Sequence, residues 1–104
     1  MAITRFTTPP ISLLVKGVDI TAADVYVTVE QGDIEINLTG ADLTMTASDG
    51  DTLITFSLTQ QQAGSLNASA QSFVQVNWIT GGVRYATVIA KVKVFDNLYD
   101  EVIS

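Results

Sequence analysis

The sequence predicts an all-β protein, an antiparallel β-sandwich of about seven strands with one short helical turn. Three observations carry this prediction. Valine, isoleucine and threonine, which favour strands, are abundant. Apolar and polar side chains alternate along most of the chain, as they do in strands with one buried face. Turn signals recur about every eight to twelve residues without a helical pattern between them, which is typical of sandwiches and barrels.

Seven stretches show the alternation expected of a half-buried strand, in which every second side chain is apolar. In one of them Val25, Val27 and Val29 point one way, while Tyr26 and Thr28 point the other. A first strand is predicted to follow the break at residues 9–10, where two prolines interrupt the chain. The seven predicted strands lie around residues 11–16, 25–30, 34–38, 43–46, 54–58, 74–78 and 88–94.

Three short polar stretches predict tight hairpin turns between these strands. They are Gln31-Gly32-Asp33, Gly40-Ala41-Asp42 and Asp49-Gly50-Asp51.

Residues 60–65 interrupt the strand pattern. Thr59 and Gln62 have the spacing of a capping box, and Gly64 follows where a helical turn would close. These residues predict a single helical turn that joins two strands across the sandwich. The alternative is an irregular polar loop.

The pair Gly81-Gly82 predicts a hairpin turn. The number of residues in the turn follows from the requirement that the apolar side chains of both flanking strands lie on the same side of the sheet. A two-residue loop would pair Trp78 with Tyr85 and would set the apolar face of one strand against the polar face of the next. A shift of one residue corrects every position, because side chains alternate with a period of two. We therefore predict a three-residue loop with a bulge at Gly82. The predicted pairs are Thr80 with Arg84, Trp78 with Ala86, Val76 with Val88 and Val74 with Ala90.

The length and composition indicate one folded domain. The chain has 104 residues, of which 47% are hydrophobic and 15% charged, and this excludes a disordered chain. We predict one domain over 1–104, with an N-terminal arm over 1–9 and a C-terminal arm over 96–104. The start MAITRFTTPP lacks the apolar region of a signal peptide, so we expect a cytoplasmic protein unless it leaves in a larger particle.

The residue types exclude several classes of chemistry. Cysteine and histidine are absent, which removes thiolate and Ser-His-Asp catalysis and the commonest metal ligand. A net charge of -6 opposes binding to nucleic acids and to anionic membranes. Asp49, Asp51 and Asp42 lack the regular ligand spacing of an EF-hand, so we predict a turn there. We expect no enzymatic activity, cofactor or metal, although an acid-pair hydrolase remains formally open.

The remaining candidates are exposed apolar side chains. Trp78 alternates with Val74 and Val76 and is predicted to be a core anchor, with ligand stacking as the alternative. Four residues are predicted on the opposite face, with Ile79 beside Tyr85. Four more lie at helical spacing in the acidic C-terminal arm, which is either a frayed end or docks on a neighbour. The predicted protein-contact surface consists of Phe73, Ile79, Tyr85, Ile89, Leu98, Tyr99, Val102 and Ile103.

Three runs of the sequence resemble a known family. They are KGVDITAADVYVTVEQGD, LTMTASDGDTLITFSLTQQQAGSL and FVQVNWITGGVRYATVIAKVKVFDNLYDEVI. These runs resemble the small Ig-like β-sandwich modules of phages and prophages of Gram-positive bacteria, and the resemblance covers residues 11–103. They are similar in particular to the N-terminal domain of upper baseplate (receptor-binding apparatus) proteins. Those proteins continue into helical and fibre regions, whereas this chain ends at Ser104, which favours a small accessory protein.

The resemblance implies a structural role in a tail, baseplate or head, through contacts with other virion or prophage-encoded proteins. The exposed apolar residues and the C-terminal arm predict in addition that the chain is a homo-oligomer. The resemblance implies no cofactor, and it implies a location in the cytoplasm during assembly and then in the virion. The alternative function is a carbohydrate- or ligand-binding module in which Trp78 or Tyr26 stacks on a sugar.

Overall fold

A computed structural model describes residues 1–87 and 89–103. Within these residues the chain forms nine strands, a single α-helical turn and a 3₁₀ turn at Gly40–Asp42. The strands are β1 Ala2–Thr4, β2 Ile11–Val15, β3 Asp24–Gln31, β4 Ile34–Thr39, β5 Thr44–Ser48, β6 Asp51–Phe56, β7 Ser72–Thr80, β8 Val83–Ala86 and β9 Ala90–Phe95. The helical turn is α1 Gln60–Ser65.

All seven predicted strands are present, and two short strands are additional. β1 lies within the segment predicted as an N-terminal arm, and its Ile3 is part of the core. β8 lies between the glycine pair and the last predicted strand. Val88, with which that strand was predicted to begin, lies outside the described residues.

The strands form two sheets that enclose one core. The large sheet has the order β1-β9-β7-β3-β4, with β8 also paired to β7, and the small sheet has the order β2-β6-β5. Every pairing is antiparallel except that of β1 with β9. β9, β7 and β3 correspond to strands G, F and C of an immunoglobulin domain, and β2, β6 and β5 to strands B, E and D. The protein is therefore an Ig-like β-sandwich.

The core consists of the inward side chains of both sheets. On β3, Val25, Val27 and Val29 are buried while their neighbours face outward, as the alternation predicts. On β6, Ile54 and Phe56 are buried in the same way. Full burial of one such side chain contributes about 1.5–3 kcal/mol, so the pattern of alternation drives the two sheets together. Trp78 is only 8% exposed and belongs to this core, which confirms its predicted role as an anchor.

Two buried polar residues fasten loops to the sheets. At the end of β3, the Gln31 side chain donates to the Asn67 carbonyl and to the Ser72 hydroxyl, both at 2.7 Å, and it accepts from the Asn67 N–H. In the small sheet, the Thr52 hydroxyl accepts from the Ile20 N–H at 2.9 Å. It also donates to a carbonyl of the same loop at 2.9 Å.

The connection between β6 and β7 confirms the predicted helical turn. The Thr59 hydroxyl accepts from the Gln62 N–H at 3.0 Å, and the Gln62 side chain accepts from the Thr59 N–H at 2.9 Å. This reciprocal pair satisfies two backbone donors that the first helical turn leaves free. α1 then carries the chain from the small sheet to the large one.

One of the three predicted hairpins is wrong. The stretch Gly40–Asp42 forms a 3₁₀ turn between β4, which belongs to the large sheet, and β5, which belongs to the small one. It is a crossover, because β5 pairs with β6 and not with β4. Asp42 accepts from the Thr39 N–H at 3.1 Å and caps the turn. The other two predicted turns are hairpins, closed by the pairs of Gln31 with Ile34 and of Ser48 with Asp51.

The predicted loop at the glycine pair is also wrong. Thr80 pairs with Val83 and Trp78 pairs with Tyr85, so the loop has two residues. Gly81 and Gly82 have φ values of 58° and 77°, and such a pair suits the tight type I′ turn, which has positive φ at both positions.

The required shift of one residue occurs instead between β8 and β9. Val74 pairs with Ala90 as predicted, and the extra residue lies in the segment that separates the two strands. Within it the Thr87 hydroxyl accepts from the Val76 N–H at 3.1 Å, and the Thr87 N–H donates to the Val76 carbonyl at 2.9 Å. The Thr87 hydroxyl thus accepts the hydrogen bond that a backbone carbonyl would accept in a regular ladder. This allows the bulge to form away from the turn.

Candidate interaction surface

The side of the large sheet that faces away from the core carries the candidate site. We call it the outer face; its side chains form rows across the strands because directly paired residues point to the same side. The tip row, next to the glycine turn, is Asp24, Ile79 and Arg84. The two middle rows are Thr39, Tyr26, Asn77 and Ala86, and then Asn37, Thr28 and Gln75. The base row is Glu35, Glu30, Phe73 and Lys91.

The apolar members of the outer face are partly open to solvent. Ile79 is 43% exposed and Tyr26 is 41% exposed, while Phe73 is half-buried. Ile89 is 62% exposed and lines the same concavity as Phe73. The structure therefore brings Phe73, Ile79 and Ile89 to one face, as the sequence predicted.

Tyr85 is not a member of this face. It pairs with Trp78 and stacks on it, with ring centroids 5.7 Å apart and an interplanar angle of 17°. The predicted pairing of Ile79 with Tyr85 is wrong, because the two-residue turn places Arg84 opposite Ile79. Tyr85 covers one face of the Trp78 ring, and only 8% of Trp78 is exposed, so little of the ring is open to a ligand.

The polar side chains of the outer face bind one another. The Thr28 hydroxyl donates to Asn37 Oδ1 at 2.7 Å, and Asn37 Nδ2 donates to Glu35 Oε2 at 2.9 Å. The Arg84 guanidinium donates to Asn77 Oδ1 at 3.2–3.3 Å. These bonds fix the orientation of two polar networks, one of Thr28, Asn37 and Glu35 and one of Arg84 and Asn77.

Two shallow concavities lie over this network. One has a volume of about 410 Å³ and is lined by Glu30, Phe73 and Ile89 among others. The second has a volume of about 340 Å³ and is lined by Tyr26 and Ile79 among others. Both are open, so they offer a contoured surface and no enclosed reaction chamber.

In the described part of the chain the acidic residues form neither a catalytic carboxylate pair nor a metal site. Glu30 and Glu35 are directly paired on adjacent strands, so both carboxylates point out of the sheet on the same side. A glycosidase requires two carboxyl groups on opposite sides of the bond that it cleaves. Among residues 1–87 and 89–103, no group of three or more acidic side chains could hold a metal ion. The Asp49–Asp51 stretch is a hairpin turn, as predicted.

The predicted C-terminal arm lies apart from the outer face. Residues 96–103 form neither a helix nor a strand, so their apolar spacing does not produce a helical face. The segment bends because Asn97 accepts from the Tyr99 N–H at 3.2 Å and donates to the Arg5 carbonyl at 3.0 Å. Ile103 exchanges two backbone hydrogen bonds with the Gln60 side chain, at 2.7 and 2.8 Å. The apolar side chains of the segment, Leu98, Tyr99, Val102 and Ile103, are all exposed.

Arg5 joins this segment to α1, and no pattern in the sequence signals these contacts. Its guanidinium donates to the Gly64 and Leu66 carbonyls at 2.9 and 2.7 Å and contacts Asp96 and Asp100 at 2.9 Å. The hydrogen bond from Arg5 lowers the pKa of the Asp96 carboxyl, with a further contribution from the Asn97 N–H.

Comparisons with known proteins extend only to the fold. No protein-family model matches the sequence, and no curated protein matches it. An uncharacterized protein from Listeria monocytogenes EGD-e, in a crystal structure with α- and β-D-glucose, magnesium and calcium, is similar with a TM-score of 0.56 and 14% identity. The similarity covers 89% of this chain but only 8% of the Listeria protein.

Two weaker similarities accompany it. The carbohydrate-binding module BhCBM56, in a bromine derivative, has a TM-score of 0.40 and 14% identity over 79% of this chain and 76% of that one. The swine CD8αα homodimer has a TM-score of 0.42 and 8% identity over 89% of this chain and 91% of that one. None of the helices in the described part of the chain has the length and apolarity to cross a membrane.

Proposed function

We propose that this chain is a structural or accessory protein of a phage or prophage particle, in a tail, baseplate or head, and that it acts through protein–protein contacts. The outer face of the large sheet is the proposed contact surface. The observation that carries the proposal is the presence of exposed apolar side chains on one face together with oriented polar groups. The resemblance of residues 11–103 to phage sandwich modules supports the particle as its location.

The composition of the outer face suits a protein partner. Interfaces combine an apolar centre with a polar rim, and they favour aromatic residues and arginine. Here Phe73, Ile79 and Tyr26 lie among amides, and Arg84 is held in place by Asn77. A single exposed apolar residue would need no explanation, whereas several on one face indicate a contact.

The net charge of -6 supports the same proposal, since it disfavours DNA and anionic membranes as partners. We propose no catalytic step and no cofactor, because the paired carboxylates lie side by side and histidine and cysteine are absent.

The test is to purify particles of the encoding phage and to detect the chain in them by mass spectrometry. Lys91 in the base row and Lys16 next to β2 are then compared by amine labelling, in the particle and in the free chain. We expect Lys91 to lose its reactivity in the particle and Lys16 to keep it. The absence of the chain from particles, or equal labelling of Lys91 in the particle and in a free chain dilute enough to be monomeric, would contradict the proposal.

A second candidate function is carbohydrate binding, and Tyr26 is the observation that favours it. Its exposed ring adjoins the 340 Å³ concavity that Asn37, Asn77 and Arg84 also line. Planar polar groups beside an aromatic ring are typical of sites that orient a small polar ligand.

Titration calorimetry with glucose, the sugar in the Listeria crystal structure, and a glycan array test this candidate. Binding that is lost on Tyr26→Ala but kept on Tyr99→Ala would favour it. Tyr99 is the matched control, because it is exposed and lies outside the concavity. The absence of any glycan signal would leave protein contact as the function.

A further inference from the structure

We infer that the outer face binds the outer face of a second copy of this chain, with a two-fold axis that runs parallel to the strands. This inference rests on the proposal that the outer face is a protein-contact surface, and it specifies the partner.

The charges of the outer face are separated from one side of the sheet to the other. Asp24 and Glu30 lie on β3, and Glu35 lies on β4. Arg84 lies on β8, and Lys91 lies on β9. The half of the face formed by β3 and β4 is therefore acidic, and the half formed by β8 and β9 is basic.

These charges are not neutralised within the chain. Neighbouring strands are about 4.8 Å apart, so Glu35 and Lys91, at opposite ends of the base row, lie roughly 14 Å from each other. Over residues 1–87 and 89–103, both ion pairs involve Arg5 and neither involves the outer face. Glu30 and Glu35 are direct cross-strand neighbours, an arrangement of like charges that destabilises a sheet. A basic partner placed over this pair would remove that cost.

A second copy supplies the basic group at the required position. Rotation about an axis parallel to the strands places the acidic half of one copy, formed by β3 and β4, over the basic half of the other, formed by β8 and β9. Each row then faces the same row of the second copy. Glu35 then faces Lys91 of the partner subunit, and Lys91 faces the partner's Glu35. In the same row Glu30 faces the partner's Phe73. Because the surface is complementary to itself, one contact is formed twice, as in isologous dimers.

The other in-plane axis gives the opposite result. Rotation about an axis perpendicular to the strands exchanges the tip row with the base row. Asp24 then faces the partner's Glu30, and Arg84 faces the partner's Lys91. Like charges across an interface oppose association, so electrostatics select the axis parallel to the strands.

The size of the face predicts a weak dimer. Four strands at about 4.8 Å and six residue steps at about 3.4 Å define a planar footprint of roughly 400 Å². A standard-size interface buries about 800 Å² of accessible surface on each partner. We therefore expect reversible association with a dissociation constant in the micromolar range or above, weakened by salt.

The experiment uses charge reversal and sedimentation equilibrium over a wide range of concentrations. Glu35→Lys and Lys91→Glu are each expected to weaken self-association about tenfold, because each places two like-charged pairs in the homodimer. An equimolar mixture of the two variants is expected to associate at least as well as the wild type. In that heterodimer one interface position pairs two reversed residues and the other pairs two native ones. The matched controls Glu101→Lys and Lys16→Glu, which alter exposed charges elsewhere, should associate like the wild type.

Each other outcome overturns the inference. A wild-type chain that stays monomeric, a mixture that does not recover, or controls that weaken association equally would each do so. The labelling of Lys91 in particles separates the two proposals. A monomeric chain with a protected Lys91 would retain the outer face as a contact for a different protein. A monomeric chain with a reactive Lys91 would remove both proposals.

Discussion

The two sheets of the sandwich contribute to the same core but present different outer surfaces. The outer positions of the small sheet carry mainly hydroxyl groups and the paired Leu14 and Leu53. A carboxylate, Asp51, lies at the end of β6 and accepts from the Gly17 N–H at 2.8 Å. The large sheet carries acidic groups on one side and basic groups on the other.

The difference between the two outer surfaces distinguishes the residues that the fold needs from those that a contact with another protein needs. Both sheets contribute alternate apolar side chains to the core, and the strands of the small sheet carry almost no charge. The sandwich can therefore form without an ordered pattern of charge. The pattern on the large sheet has its simplest explanation in recognition, because charge arrangement determines orientation more than it determines affinity.

The largest expected effect tests, in each sheet, which side chains of a strand point into the core. Ile54→Ala should lower the free energy of unfolding by about 2–5 kcal/mol, whereas Leu53→Ala, on the other side of β6, should cost about 1 kcal/mol or less. On the large sheet, Val27→Ala and Thr28→Ala should differ in the same direction. Urea unfolding monitored by circular dichroism gives these values. Equal losses at adjacent positions would contradict the inner and outer assignments.

The next effect concerns one buried polar residue in each sheet, Gln31 and Thr52. Gln31→Met and Thr52→Val should each cost about 1–3 kcal/mol, because each leaves buried loop groups without a hydrogen-bond partner. The control is Thr55→Val, whose hydroxyl makes an exposed 3.1 Å bond with Ser12 and should cost less than about 0.5 kcal/mol. Urea unfolding again provides the values, and a small effect at Thr52 would indicate that its loop is held by apolar contacts alone.

The smallest effect concerns pH and the edge of the large sheet. Arg5 lowers the pKa of Asp96 in the folded protein. The ion pair therefore stabilises the fold above the unfolded-state pKa of about 3.9, and this contribution is lost as the pH falls through the lower folded value. Asp96→Asn should destabilise the chain at neutral pH, and the difference from the wild type should shrink in acid.

Stability measured as a function of pH tests this prediction, and a background variant gives its control. In an Arg5→Gln chain, Asp96→Asn should have little further effect at any pH. An undiminished effect there would show that Asp96 acts through the Asn97 N–H and not through Arg5.

Local patterns were sufficient to predict most of the fold. Alternation identified the strands that build the core, and the capping box of Thr59 and Gln62 identified α1. The crossover at Gly40–Asp42 was not predicted, because its composition is that of a hairpin and only the partner of β5 distinguishes the two. The prediction of a three-residue loop at Gly81-Gly82 was wrong. The alternation of apolar side chains shows that a shift of one residue occurs between the flanking strands but does not show where it occurs.

The candidate surface was predicted only in part, because local alternation gives the side of a strand but not the register or the neighbouring strand. Phe73, Ile79 and Ile89 were assigned to one face by alternation, while Tyr85 followed the wrong register. The charge separation across the rows depends on which strands are neighbours. It could not be read before Glu35 and Lys91 were known to lie on opposite sides of β3 and β7. The contacts of Arg5 join residues about sixty and ninety positions apart, and no local pattern signals them.

The bulge between β8 and β9 has a consequence for how the chain can be altered. The shift of one residue lies between β8 and β9, so the two-residue turn and the pairing of β8 with β7 keep a register of their own. Pairs of residues inserted on both sides of Gly81-Gly82 would lengthen the ribbon while each existing side chain keeps its facing. The tip is therefore a natural position for grafting an epitope or an affinity peptide, outside both the core and the base row.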